Sequence, residues 1–173
     1  GEMAPVAREL AFGWGVLEPL QTAASLKAQV DELRTVLEEN ADLPVTLVGF
    51  SWGAWLSFIV AAHYPVLVKK LILVGSGPYE EQYVARLQES RLRRLGEEER
   101  SELESTVELL GDSVPDQDGL LARLGVLVAK TDEYDPITEG LDRSDWVGGQ
   151  GSIFQKVSKD AAEMRRSGSL LAL

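Results

Sequence analysis

Between positions 26 and 37 the apolar residues Leu26, Val30, Leu33 and Leu37 recur every three or four positions, with Lys27, Asp31, Glu32 and Arg34 between them. That spacing predicts a helix with one buried stripe. Ser25 precedes it and can accept a hydrogen bond from its first turn, and the helix is expected to end near Asn40. The period then changes. Pro44-Val45-Thr46-Leu47-Val48 is almost continuously apolar, as expected of a strand buried in a parallel sheet. Trp52 to Ala62 is apolar and lacks proline until Pro65, which predicts a helix, and Tyr64 is pushed out of the helical region because it precedes that proline. Lys69 and Lys70 lead into Leu71-Ile72-Leu73-Val74, a second buried-strand pattern closed by Gly75-Ser76-Gly77-Pro78. Nearer the N-terminus, Pro5 to Leu10 is a short helix candidate, and Trp14-Gly15-Val16-Leu17 running into Glu18-Pro19-Leu20 predicts a further strand. Strands alternating with helices imply an α/β protein with a parallel sheet.

From about Tyr79 the pattern is different. Glu and Arg dominate as far as Leu110, leucines fall at helical intervals, and no strand signature is present. Gly111 to Gly119 is expected to be a loop. Leu120 to Thr131 predicts a helix with Leu120, Leu121, Leu124, Leu127 and Val128 on one face. Gly148-Gly149-Gln150-Gly151 predicts a flexible joint before a last helix from Ile153 to Arg166. The expected division is a core over residues 1–79 and a helical segment over residues 80–173.

At 173 residues with 45% apolar content, the chain is long enough for a real hydrophobic core. A formal charge of -11 disfavours nucleic acid and anionic membrane surfaces, which would both repel it. No apolar run reaches the roughly 18 residues of a membrane span, and no basic region followed by an apolar one signals export, so a cytoplasmic location is expected. There is no cysteine, which excludes disulfides, thiolate metal sites and a cysteine nucleophile. No metal or cofactor site is expected: Gly75-Ser76-Gly77 runs into Pro78 where a dinucleotide fingerprint needs a helix, and Glu80-Glu81 and Glu97-Glu98-Glu99 read as solvated helix faces.

The candidate chemistry lies in Gly49-Phe50-Ser51-Trp52-Gly53, a G-x-S-x-G motif set between the predicted strand and the predicted helix. A strand turning into a helix within two residues forces the central residue into a sparsely populated backbone conformation and lifts its hydroxyl clear of the sheet. Side chains at Gly49 and Gly53 are both expected to collide with this turn.

With that motif in place, the chain resembles the α/β-hydrolase superfamily, and in particular its small members with a helical cap inserted after the strand that follows the elbow helix. The resemblance covers roughly residues 14 to 79. It implies a partial α/β-hydrolase core carrying the nucleophile elbow, followed by a cap segment that shapes substrate choice. It also implies that Ser51 is the nucleophile, that the Trp52 backbone N–H is one oxyanion-hole donor, and that the reaction is acyl transfer on a small-molecule ester, amide or thioester. The Trp52 side chain is assigned no part.

The family also needs a histidine held by a carboxylate. His63 is the chain's sole histidine, and twelve helical residues at about 1.5 Å each put it roughly 18 Å from Ser51, against a hydrogen-bond reach of about 3 Å. For the acid, Gly125-Val126-Leu127-Val128 followed by Asp132 and Asp135-Pro136 imitates the strand and loop of the family, but the unbroken apolar face from Leu120 favours a helix. Lys69 and Lys70 should lie at the end of the sheet opposite the elbow. The resemblance therefore implies a partial chain, inactive alone, whose incomplete sheet exchanges segments with another copy or aggregates. A noncatalytic ligand-binding or interaction protein of the same fold is the alternative.

Overall fold

The computed structural model describes residues 3–111, 117–132 and 151–173. The described elements are α1 (Ala4–Leu10), α2 (Leu26–Asn40), β1 (Val45–Phe50), α3 (Trp52–His63), β2 (Val68–Val74), α4 (Val84–Leu92), α5 (Glu97–Gly111), α6 (Gln117–Asp132) and α7 (Gly151–Arg166). They fall into two compact units: residues 82–152, and residues 2–81 together with 153–173.

In the larger unit, β1 and β2 form a two-stranded parallel sheet. The register runs from Thr46 opposite Lys70 to Phe50 opposite Val74, with an irregularity next to Val45, which faces Val68. The strand thus starts at Val68 and takes in both lysines, which the sequence placed before it. They still lie at the end away from Ser51, because the strands are parallel.

Of the expected α2 stripe, Val30, Leu33 and Leu37 are buried and Leu26 is partly buried, and Gln29 joins them. Ser25 caps it by accepting the Ala28 N–H at 3.2 Å, and the Asp160 carboxylate of α7 accepts the Leu26 N–H at 3.1 Å. The stripe packs with Leu47 of β1, with Trp55, Leu56, Ile59 and Val60 of α3, and with Ala161 and Leu170 near the C-terminus. Helix α3 is apolar nearly all round, as a central helix must be. Tyr64, at φ -130° and ψ 60°, leaves the helical region just before Pro65, as the proline requires. The predicted helical segment of residues 80–173 is thus divided, because α7 carries core residues of its own and groups with the sheet.

Trp14 to Leu20 is not a strand. Its residues carry no ladder partner, and Trp14 is 71% exposed. A strand exists only through pairing, Pro19 removes one ladder donor, and no third strand of the described residues lies alongside. One face of the sheet is also uncovered: Val48, Ile72 and Val74, which alternation and register put on the same side, are all exposed large apolar residues.

The smaller unit is helical. Leu95 and Leu127 are buried in it, with Thr106 and Thr131. Gly125 to Val128 lies inside α6, so the helix and not the strand reading holds. Ion pairs link Glu99 to Lys130, Glu102 to Arg123 and Asp132 to Arg91, which gives Glu99 a basic partner. Most of the predicted 111–119 loop, the Asp135-Pro136 pair and the joint at residues 148–150 lie outside the described residues. No described helix is long and apolar enough to cross a membrane.

Candidate active site

Strand β1 delivers the chain to Ser51, and α3 starts one residue later. Ser51 sits at φ 52° and ψ -115°, the sole non-glycine residue with positive φ among the described residues. A conformation of this kind costs on the order of 1–3 kcal/mol and persists only where its surroundings over-determine it. Two hydrogen bonds do so here: the Ser51 N–H donates to the Val74 carbonyl of β2 at 3.0 Å, and the Ser51 carbonyl accepts the Ala54 N–H at 3.1 Å. The side chain makes no capping bond to α3, and the residue is exposed. Its hydroxyl therefore stands free at the N-terminus of an apolar helix, where the first backbone N–H groups, those of Trp52 and Gly53, have no intrahelical acceptor and favour negative charge.

The two motif glycines do different things. A Cβ on Gly49 would lie 2.3 Å from the Gly53 carbonyl oxygen and 2.7 Å from the Ala54 Cα, so the strand can approach the first helical turn only without a side chain. A Cβ on Gly53 would meet nothing within 4 Å, and its φ is not positive. The collision expected at Gly53 is therefore absent; the crowding is one-sided, because it is the Gly53 backbone that Gly49 presses against.

Around the turn lies a group of aromatic rings. Trp55 stacks on Tyr79 with centroids 5.6 Å apart and donates its indole N–H to the Gly77 carbonyl at 3.2 Å. Phe58 meets Tyr79 edge-on at 5.1 Å. These contacts fix the loop after β2 beside the elbow. Gly75, at φ 53°, makes the bend there against the Phe50 ring. Burial pushes the Tyr79 phenol up, opposed by nearby Ser76, whose contact with the hydroxyl falls short of a hydrogen bond. Trp52 has a partner that the sequence reading did not supply: its indole N–H donates to the Gln29 side-chain carbonyl at 2.8 Å.

The family model described as alpha/beta hydrolase fold matches residues 17–152, more than half of the chain and inclusive of the whole strand, turn and helix. The chain belongs to the α/β-hydrolase fold family. No curated protein sequence matches it.

In this member of the α/β-hydrolase fold family, no described residue of the unit that holds Ser51 stands as a base to its hydroxyl. His63 is the last residue of α3, exposed, with its ring 6.2 Å from that of Tyr64; it lies at the far end of the helix that Ser51 begins. Asp132, the described half of the carboxylate region, is at the end of α6 in a two-point ion pair with Arg91, at 2.8 and 2.9 Å. No cluster of described residues could hold a metal ion. Of the residues singled out in the sequence, the fold thus brings together Ser51, the Trp52 N–H and Gly49. It leaves His63 at the far end of α3, and Asp132 ends α6 in the other unit. Gln29 was missed because it reads as one more polar position on α2; the only signal was its place, one residue before Val30 on the buried stripe.

Proposed function

We propose that the chain is the nucleophile-bearing part of a serine hydrolase that works by acyl transfer on a small or medium acyl substrate. Ser51 gives its proton to a base and bonds the carbonyl carbon of the ester, amide or thioester, and the Trp52 N–H stabilises the oxyanion that forms. Collapse of the oxyanion breaks the bond to the alcohol, amine or thiol, which leaves with that proton, and water later cleaves the acyl-serine ester to release the acid and restore Ser51. The observation that carries this reading is the backbone of Ser51: a serine held at positive φ, with an unbonded hydroxyl, between a parallel strand and a helix N-terminus. Such strain has no structural use at an exposed turn, where glycine would relieve it. In this reading the base and its carboxylate partner come from further polypeptide, covalently continuous or a partner chain, and the helical unit of residues 82–152 is the cap. The open sheet favours self-association of the chain when it is alone. The second reading, a noncatalytic binding protein of the same fold, is favoured by the distance of His63 from Ser51. A fluorophosphonate probe applied to the natural full-length protein separates the two: covalent modification that disappears in Ser51→Ala supports the hydrolase, and an unmodified Ser51 supports the binding protein.

A further inference from the structure

We propose that Gln29 is a positioning residue for the oxyanion donor at Trp52, an inference that rests on the serine-hydrolase reading above. Gln29 is 3% exposed and lies on the buried stripe of α2 beside Val30, Leu33 and Leu37. An apolar residue would fill that position without cost, whereas a buried amide is penalised unless both its polar ends are paired. Here both are. The side-chain carbonyl accepts the Trp52 indole N–H at 2.8 Å, and the side-chain amide donates to the Ala23 carbonyl at 3.0 Å. The partners dictate this orientation, since an indole only donates and a backbone carbonyl only accepts.

The bonds continue outward. The Glu32 carboxylate, one turn along α2, accepts the Thr22 N–H at 3.0 Å, the Thr22 hydroxyl at 2.6 Å and the Ala23 N–H at 3.3 Å. Segment 22–23 is thereby tied to α2, Gln29 is tied to segment 22–23, and Trp52 is tied to Gln29. Trp52 is the first residue of α3 and the neighbour of Ser51. Its ring is held from two sides, by Gln29 and by Trp55 at 6.2 Å between centroids. Fixing that side chain restrains the torsions of the first turn of α3, and with them the direction of the Trp52 backbone N–H.

That N–H meets full negative charge only when the tetrahedral oxyanion forms, so a misdirected donor weakens the transition state and not substrate binding. The Gln29→Met variant of the natural full-length protein keeps the side-chain volume and removes both hydrogen-bonding atoms. It is expected to lower kcat on a p-nitrophenyl ester about tenfold, with KM within about twofold of wild type. The 31P resonance of the fluorophosphonate adduct at Ser51, whose phosphoryl oxygen occupies the oxyanion position, should shift as well. Trp52→Phe breaks the same bond from the other end and should show the same loss, with the double variant no worse than either single one. If Gln29→Met does not fold, Trp52→Phe decides by the same readouts. A folded variant with wild-type kcat and 31P resonance, or losses that add in the double variant, overturns the role of Gln29 and leaves the hydrolase reading standing. A wild-type protein that neither hydrolyses the ester nor takes the label overturns both.

Discussion

Gly49 and Gly53 meet so closely that a single methyl group on Gly49 would lie 2.3 Å from the Gly53 carbonyl oxygen. The atoms it would strike are backbone, which cannot rotate away. Gly49→Ala should therefore destabilise the larger unit by about 3 kcal/mol, the upper range for overpacking. Gly53→Ala, facing open space at the second position of α3, should be neutral or slightly stabilising, since alanine is the better helix former. Urea unfolding of the two variants side by side checks this; equal losses would mean that the approach of β1 to α3 is looser than described.

Ser51 bears strain that glycine would not. Ser51→Gly should raise stability by about 1 kcal/mol, the relief of positive φ exceeding the added entropy of the unfolded chain. Ser51→Val, β-branched, should lower it. Thermal melts of both variants test the backbone geometry independently of any activity, and a Ser51→Gly protein less stable than wild type would contradict it.

Glu32 offers a pH-dependent check on the bonds behind Gln29. Burial pushes its carboxyl up, but the hydrogen bonds from the Thr22 side chain and from the Thr22 and Ala23 backbones outweigh this and hold it below its ordinary value. A carboxylate lowered in the folded state stabilises that state above its unfolded pKa, roughly 4.3, and the contribution fades as pH falls through the folded value. Glu32→Gln should thus cost about 1 kcal/mol at neutral pH, and the gap from wild type should close below that pKa. A gap that stays constant from pH 7 to pH 3 would show that the carboxylate's charge plays no part.

The uncovered sheet face predicts the behaviour of the chain alone. Ile72 is 41% exposed on a strand with one unpaired edge among the described residues, and parallel sheets are ordinarily covered on both faces. Light scattering should give a mass above that of a monomer, and Ile72→Lys should bring it down. A monomeric wild-type chain with a cooperative melt would contradict the expectation.

How much of this was legible in the sequence depends on whether the residue's signal was local. The α2 stripe, the β1 run, the Ser25 cap and the end of α3 at Tyr64 are set by neighbours within a turn or two, and all were read correctly. Trp14 to Leu20 shows the limit: its apolar run has strand character, but a strand needs a partner, and pairing is not encoded in one segment. The same holds for Gln29, whose importance comes from Trp52, 23 residues away, and for Gly53, whose companion Gly49 bears the whole steric burden. The start of β2 at Val68 was set by its register with β1, which drew two lysines into a strand that hydrophobicity alone would have begun at Leu71.

If Ser51 is a nucleophile, fluorophosphonate treatment of the natural full-length protein should give, by intact-protein mass spectrometry, a single adduct that peptide mapping assigns to Ser51, slowed in Gln29→Met and missing in Ser51→Ala. No adduct, or an adduct on a different serine that survives Ser51→Ala, would contradict that role.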